Sequence, residues 1–261
     1  MNGPTLPPRT AKPRRTGLTA ITDVGLPCGE LETLLADYAD FLDVAKLGVG
    51  SAVITPRLSD KLGLYRDHQV ATCCGGTLFE KFYWQRALKD YLAFLREHQV
   101  SWVEVSSGTV DIRLSERMEI VEQLCSEGFV VVGEVGFKDT TRLMPPSQWI
   151  DELQKLLEAG CRYVITEGRD SGTAGVYRPD GELRHELLEE IIACVDTDRI
   201  IFEAPRAKAQ MFFINTIGPE VNLGNIPARD LLLLESQRRG LRNETFFLGD
   251  PPESNSLKQA A

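Results

Sequence analysis

Eight short apolar runs recur along the chain, at 17–22, 42–46, 69–74, 101–106, 129–134, 161–167, 199–204 and 219–224. They are rich in Val, Ile and Leu with little polar alternation, as expected of parallel strands covered by helices. Stretches with helical spacing alternate with them, roughly at 29–39, 56–66, 79–98, 113–126, 147–159, 183–195, 207–217 and 227–239. In the fifth, Ile150, Leu153, Leu156 and Leu157 share one stripe and Gly160 supplies the stop. The eighth carries Pro227 near its start and Gly240 past its end.

Strict βα alternation leaves a closed barrel or an open doubly wound sheet. A dinucleotide-binding sheet shows a glycine fingerprint after its first strand, and here that place holds Asp23-Val24-Gly25-Leu26-Pro27. Eight units with polar strand ends predict an α/β fold, a single-domain (β/α)8 TIM barrel. The 261 residues suit the roughly 250 such a barrel uses. The expected bounds are a flexible arm at 1–16, the barrel at 17–249 and a loose tail at 250–261. The arm holds four prolines with Arg9, Lys12, Arg14 and Arg15, and no apolar signal core.

Charge sharpens this picture. Asp23, Glu104, Glu134, Glu167 and Glu203 each lie at the end of a strand-like run, and Lys46 ends a sixth. In a barrel those positions share the catalytic face. Burying so many like charges is costly unless cations share the space. The same face is expected to present Gly75, Gly76, Ser106, Lys138, Arg169, Ser171, Arg206, Asn222 and Asn225.

Abundant carboxylates suit a hard ion such as Mg²⁺ rather than zinc. His68, His98 and His185 fall away from strand ends, which argues against histidine-based catalysis. Gly75-Gly76 would let a helix N-terminus approach an anion. Arg206, Lys208, Asn222, Gly224 and Asn225 occupy the loops that often bind phosphate in barrels, with Gly48-Val-Gly50-Ser51 a second candidate. Thr77 and Glu80 fit a capping box, so Glu80 is expected to cap a helix rather than serve the site.

A net charge of −9 disfavours nucleic acid and anionic membranes as partners. Six cysteines without CxxC or zinc spacing read as reduced thiols of a cytoplasmic protein. No run approaches the ~20 apolar residues of a membrane span.

Several motifs together resemble the phosphosulfolactate synthase family. They are Gly17-Leu-Thr, Gly75-Gly-Thr-Leu-Phe-Glu80, Glu134-Val-Gly136, Glu167-Gly-Arg-Asp-Ser-Gly172, Glu203-Ala-Pro205, Val221-Asn-Leu-Gly-Asn-Ile226 and Arg239-Gly-Leu-Arg242. They span residues 17 to about 247 in the family's order. The resemblance implies a Mg²⁺-dependent barrel that adds sulfite to phosphoenolpyruvate on the way to coenzyme M or sulfolactate, working as a homo-oligomer. It implies Lys138 or Lys46 as general acid, with Glu134 and Arg169 beside them. Glu104, Glu167 and Glu203 would bind the metal or support it.

The chain departs from the family at Val24 and Phe137, where lysine is usual, at Ser107, where aspartate is usual, and at Ala207, where lysine is common. Three other readings follow: a different nucleophile on a similar enol acid, Schiff-base chemistry on Lys46 or Lys138, and a non-catalytic relative like a plant heat-stress protein.

Overall fold

A computed structural model of the chain describes residues 4–139, 141–169 and 171–248; the expected tail at 250–261 lies outside them. Eight strands run β1 Thr19–Asp23, β2 Val44–Leu47, β3 Ala71–Cys74, β4 Trp102–Val105, β5 Val130–Val135, β6 Tyr163–Thr166, β7 Ile200–Glu203 and β8 Asn222–Ile226. Each pairs in parallel with the next, and β8 returns to β1 to close the barrel. The surrounding helices are α1 Cys28–Tyr38, α2 Leu58–Asp67, α3 Gly76–Trp84, α4 Leu88–Glu97, α5 Leu114–Ser126, α6 Pro146–Glu158, α7 His185–Cys194, α8 Ala207–Ile217 and α9 Leu231–Arg238. This is the expected (β/α)8 architecture.

Three element boundaries differ from the sequence pattern. The helix expected at 79–98 is two helices, because Arg86 takes a left-handed φ of 56°. There Arg86 N–H bonds back to Tyr83 O and Ala87 N–H to Phe82 O, the paired bonds that end a helix. The eighth strand begins at Asn222, three residues later than expected. The last helix starts at Leu231, behind a single 3₁₀ turn at Ala228–Asp230.

Strand alternation divides the side chains between two cores. Val103, Val105, Val131, Val135, Val164, Ile200 and Phe202 point outward and pack in the large core under the helices. Leu18, Val132, Tyr163, Ile165 and Ile201 point inward, alongside Ala20, Val44 and Cys73. Trp102 stacks on Tyr163 at 5.6 Å within the lumen, so the lower barrel is packed rather than open.

The floor is polar and tied together. Fully buried Arg238 donates to Val221 O at 2.7 Å and Leu18 O at 3.1 Å. Described residues of the expected arm lie against this floor. Arg9 pairs with Glu220 and with Glu235, and Arg14 pairs with Asp43 at 3.0 Å. Tyr163 donates to Arg15 O at 2.9 Å.

Candidate active site

The same inward register that fills the lumen builds the site one layer higher. Two residues above Val44 stands Lys46, above Trp102 stands Glu104, above Val132 Glu134, above Ile165 Glu167 and above Ile201 Glu203. Period-two alternation therefore aims all five over one lumen. With Lys138, Arg169, Gly75, Gly76, Asn225 and Thr22 they enclose a cavity of about 190 Å³. Asp23 has the opposite parity: its strand places Ala20 inward and Ile21 outward.

Two lysines bind the acids into two groups. Lys46 Nζ donates to Glu203 Oε1 at 2.8 Å and lies 3.4 Å from Glu104 Oε2. Lys138 Nζ lies 3.2 Å from Glu134 Oε1, 3.6 Å from Glu167 Oε2 and 3.9 Å from Glu80 Oε1. Backbone N–H groups fix the acids in turn. Gly76 N–H donates to Glu104 Oε1 at 2.5 Å, Arg169 N–H to Glu167 Oε1 at 2.6 Å and Gly168 N–H to Glu203 Oε2 at 2.8 Å. Glu104 Oε2, Glu134 Oε1 and Glu167 Oε2 are buried without a hydrogen bond, each within 3.6 Å of a lysine ammonium.

Glycines permit this approach. A Cβ on Gly76 would stand 2.2 Å from Ser106 Oγ and 2.8 Å from Glu104 Oε1. Gly136, at φ 123°, turns the chain where a Cβ would strike Trp149 and the Glu167 stem, bringing Lys138 back over the mouth.

Burial and neighbouring charge set the protonation states. Burial opposes the charge of Lys46, but Glu104, Glu203 and Glu134 outweigh it and hold the ammonium well above its usual range. Lys138 is held up likewise, with Glu134 and Glu167 outweighing its burial. Burial pushes Glu104 up to about 7, Lys46 offsetting part of the effect. Glu134 sits at about 2: its burial is overcome by Lys138 and Lys46. Glu167 is driven up by burial and by Glu134 and Glu203.

Among the described residues no three His, Cys, Asp or Glu side chains already converge as a metal cage. The unbonded oxygens of Glu104, Glu134 and Glu167 are nevertheless hard donors around one cavity. Mg²⁺ typically uses one or two carboxylates and takes its other ligands from water and substrate. The donor set fits that mode.

The structure thus brings together Lys46, Glu104, Glu134, Lys138, Glu167, Arg169 and Glu203 with Gly75, Gly76 and Asn225. It leaves other expected residues outside. Asp23 accepts from Lys61 at 2.8 Å, Tyr65 at 2.9 Å, and the N–H groups of Gly25 and Leu26; it is an internal ion pair between the first loop and α2. Asn222 begins its strand at the floor, where it donates to Asp198 O and Ile200 O and accepts from Leu18 N–H. Ser106 spends its hydroxyl on Glu80 at 2.5 Å. Ser171 is exposed and paired with Thr173, Arg206 donates to Ser171 O, and Lys208 pairs with Glu182 on the outer surface. The α3 N-terminus expected to meet an anion gives its Gly76 N–H to Glu104 instead.

Glu80 does not cap α3. The cap is Gly75, without a side-chain bond. Glu80 is buried and accepts from Ser106 Oγ and from the N–H groups of Gly108, Thr109 and Val110. Thr22, not singled out from sequence, lines the cavity and donates to Asn225 Oδ1 at 2.6 Å. Its inward parity, one position before Asp23, was the available signal.

The family model for (2R)-phospho-3-sulfolactate synthase (ComA) matches residues 7–244. A phosphosulfolactate synthase of Bacillus subtilis (strain 168) is 37% identical over 246 residues, 93% of this chain and 97% of its own. One from Methanothermobacter thermautotrophicus is 36% identical over 245 residues, 92% and 95% of the two chains. Two solved structures share the barrel. The YdjI aldolase from Escherichia coli K12 superposes with a TM-score of 0.55 at 10% identity, covering 92% of this chain and 93% of that one. A 3-hexulose-6-phosphate synthase from Salmonella typhimurium gives 0.54 at 13% identity, covering 84% and 99%. At such identities the likeness is one of fold.

Proposed function

The chain belongs to the (2R)-phospho-3-sulfolactate synthase family, whose enzymes form a carbon–sulfur bond, and we propose that it adds sulfite to phosphoenolpyruvate with the help of Mg²⁺. One observation carries the reading. Three buried glutamates each present a carboxylate oxygen without a hydrogen bond to a cavity they share with Lys46 and Lys138. A mouth of carboxylates alone repels two anionic substrates, so cations have to dominate where they bind.

In this reading the sulfur lone pair of sulfite attacks the terminal CH₂ of the enol and the C–S bond forms. The electrons of the C=C bond move toward the carboxylate, and C2 then takes a proton, giving 2-phospho-3-sulfolactate. Lys46 is held by Glu203 deep in the site and serves as a fixed cation. Lys138 makes no contact shorter than 3.2 Å with its carboxylates and stays charged at neutral pH, the form required of the acid that protonates C2. Arg169, with no carboxylate partner among the described residues, is suited to grip substrate carboxylate or phosphate. Glu104, Glu134 and Glu167, each with an unbonded oxygen, would hold Mg²⁺ with Glu203 in support through Lys46; when bound, the ion supplies positive charge to the carboxylate where electron density accumulates.

None of the four departing residues is itself part of the cavity lining. Val24 is exposed, Phe137 stacks under Arg142 at 3.8 Å, Ser107 bonds to Val110 O and Ile112 N–H, and Ala207 opens α8. The test is an assay of phosphoenolpyruvate, sulfite and Mg²⁺ with product identification by mass spectrometry. A sulfonated phosphoester absent without Mg²⁺ and formed about 10³-fold more slowly by Lys138→Ala is expected; no sulfite-dependent consumption by the wild-type chain sinks the reading.

No helix among the described residues is long and apolar enough to cross a membrane. A cytoplasmic, homo-oligomeric enzyme remains our expectation from cysteine content and family.

A further inference from the structure

We propose that Glu80 is a positioning residue for Lys138, acting through the loop after β4 rather than on substrate. The proposal rests on the role given above to Lys138. Glu80 Oε1 accepts from Ser106 Oγ at 2.5 Å and Gly108 N–H at 3.1 Å; Oε2 accepts from Thr109 N–H at 2.7 Å and Val110 N–H at 2.5 Å. One buried carboxylate therefore organises the whole segment 106–110 from α3. Three consecutive backbone N–H groups converging on it fix that segment more tightly than a turn alone does.

The same segment carries Lys138. A Cβ placed on Gly108 would lie 3.0–3.1 Å from Lys138 Cδ, Cε and Cγ, so the aliphatic stem of Lys138 rests directly on Gly108. Glu80 Oε1, which holds Gly108 N–H, is also 3.9 Å from Lys138 Nζ. The Lys138 ammonium thus faces carboxylates from α3, β5 and the end of β6, while its stem is supported by a platform that Glu80 fixes. Glu80 itself does not line the cavity. Its effect on the chemistry passes through where Lys138 stands.

Two substitutions probe the link from opposite sides. Glu80→Gln keeps size but replaces an acceptor oxygen with donors facing donors, which frees the loop. Gly108→Ala leaves Glu80 intact and presses on the Lys138 stem; Gly108 lies outside the left-handed region, so its backbone tolerates alanine. Displacement on the order of 1 Å commonly costs about 10²-fold in rate, so each variant is expected to lower kcat by about 10- to 100-fold. Limited acetic anhydride labelling, quantified by peptide mass spectrometry, should show the Lys138-to-Lys46 labelling ratio shifted at least about threefold in both variants, by the same displacement. In a Lys138→Ala background Glu80→Gln should cost almost nothing further in rate.

Wild-type kcat and an unchanged labelling ratio in both variants overturn the proposal, as does an equal loss from Glu80→Gln with and without Lys138. If Glu80→Gln does not fold, Ser106→Ala, which removes one of the bonds by which Glu80 holds the segment, is read in the same way beside Gly108→Ala. Should the wild-type chain prove inactive with phosphoenolpyruvate and sulfite, the proposed reaction fails, while the labelling ratio still decides the position of Lys138.

Discussion

Lys46 and Glu203 meet at 2.8 Å across the top of the lumen, joining the ends of β2 and β7. Glu104 Oε2 stands 3.4 Å from the same ammonium, so one lysine offsets part of the charge of two acids that are buried together. Lys46→Met should remove that compensation. Breaking a buried pair from one side costs on the order of 3 kcal/mol, and the loss of a fixed cation should lower turnover by about 10³-fold or more. The double variant Lys46→Met/Glu203→Gln should recover much of the stability in urea unfolding and none of the activity. A single variant as stable as wild type would mean the two acids do not depend on Lys46.

Asp23 is expected to matter for folding and not for substrate. Its carboxylate is occupied by Lys61, Tyr65 and two backbone N–H groups. Asp23→Ala leaves a buried ammonium unpaired, so a loss of about 3 kcal/mol is expected, with the KM for phosphoenolpyruvate within about twofold of wild type. A tenfold rise in KM with unchanged thermal stability would place Asp23 back in the site.

Arg169 should behave in the opposite way. Its guanidinium is exposed on the rim and makes no ion pair among the described residues, while its N–H holds Glu167 through the backbone. Arg169→Lys keeps the charge and the backbone bond but loses the bidentate fork. Stability should stay within about 0.5 kcal/mol while KM for phosphoenolpyruvate rises about tenfold or more. Unchanged KM would remove Arg169 from substrate binding.

The barrel was legible because its signal is repeated eight times: apolar runs, helical spacing and strand-end polar residues all agree. The cluster of Glu104, Glu134, Glu167, Glu203 and Lys46 was legible for the same reason. Position at a strand end was not enough by itself, and parity decided the rest. Asp23 and Thr22 are neighbours at one strand end, yet Thr22 faces the lumen and Asp23 the helices. Asn222 shows a second limit, since a motif residue at the start of a strand lies at the floor. Glu80 shows a third. Thr77 and Glu80 have the spacing of a capping box, but α3 starts at Gly76, which puts Glu80 on its fifth residue and turns it toward the loop at 106–110. Local spacing carries no information about a loop roughly thirty residues away.

The last prediction concerns proton linkage at Glu104. Its burial holds the folded-state value at about 7 against an ordinary 4.5. Between those values the folded chain keeps a proton that the unfolded chain releases, so this carboxyl makes stability fall as pH rises through that window. Glu134 has the opposite sign: held at about 2 mainly because Lys138 and Lys46 overcome its burial, it stabilises the fold above 4.5 and loses that contribution as pH drops toward about 2. Without added metal, wild-type stability should therefore carry a downward slope approaching 1 kcal/mol per pH unit between about pH 5 and pH 7 relative to Glu104→Gln. Mg²⁺ binding, where it uses Glu104, displaces that proton, so apparent Mg²⁺ affinity should climb across the same window and level off above it. Urea midpoints of both chains at several pH values, with and without Mg²⁺, measure both effects. Parallel wild-type and Glu104→Gln profiles without Mg²⁺ would show that Glu104 ionises in the fold as it does in water, and an equal Mg²⁺ effect on both chains would remove it from the proposed metal set.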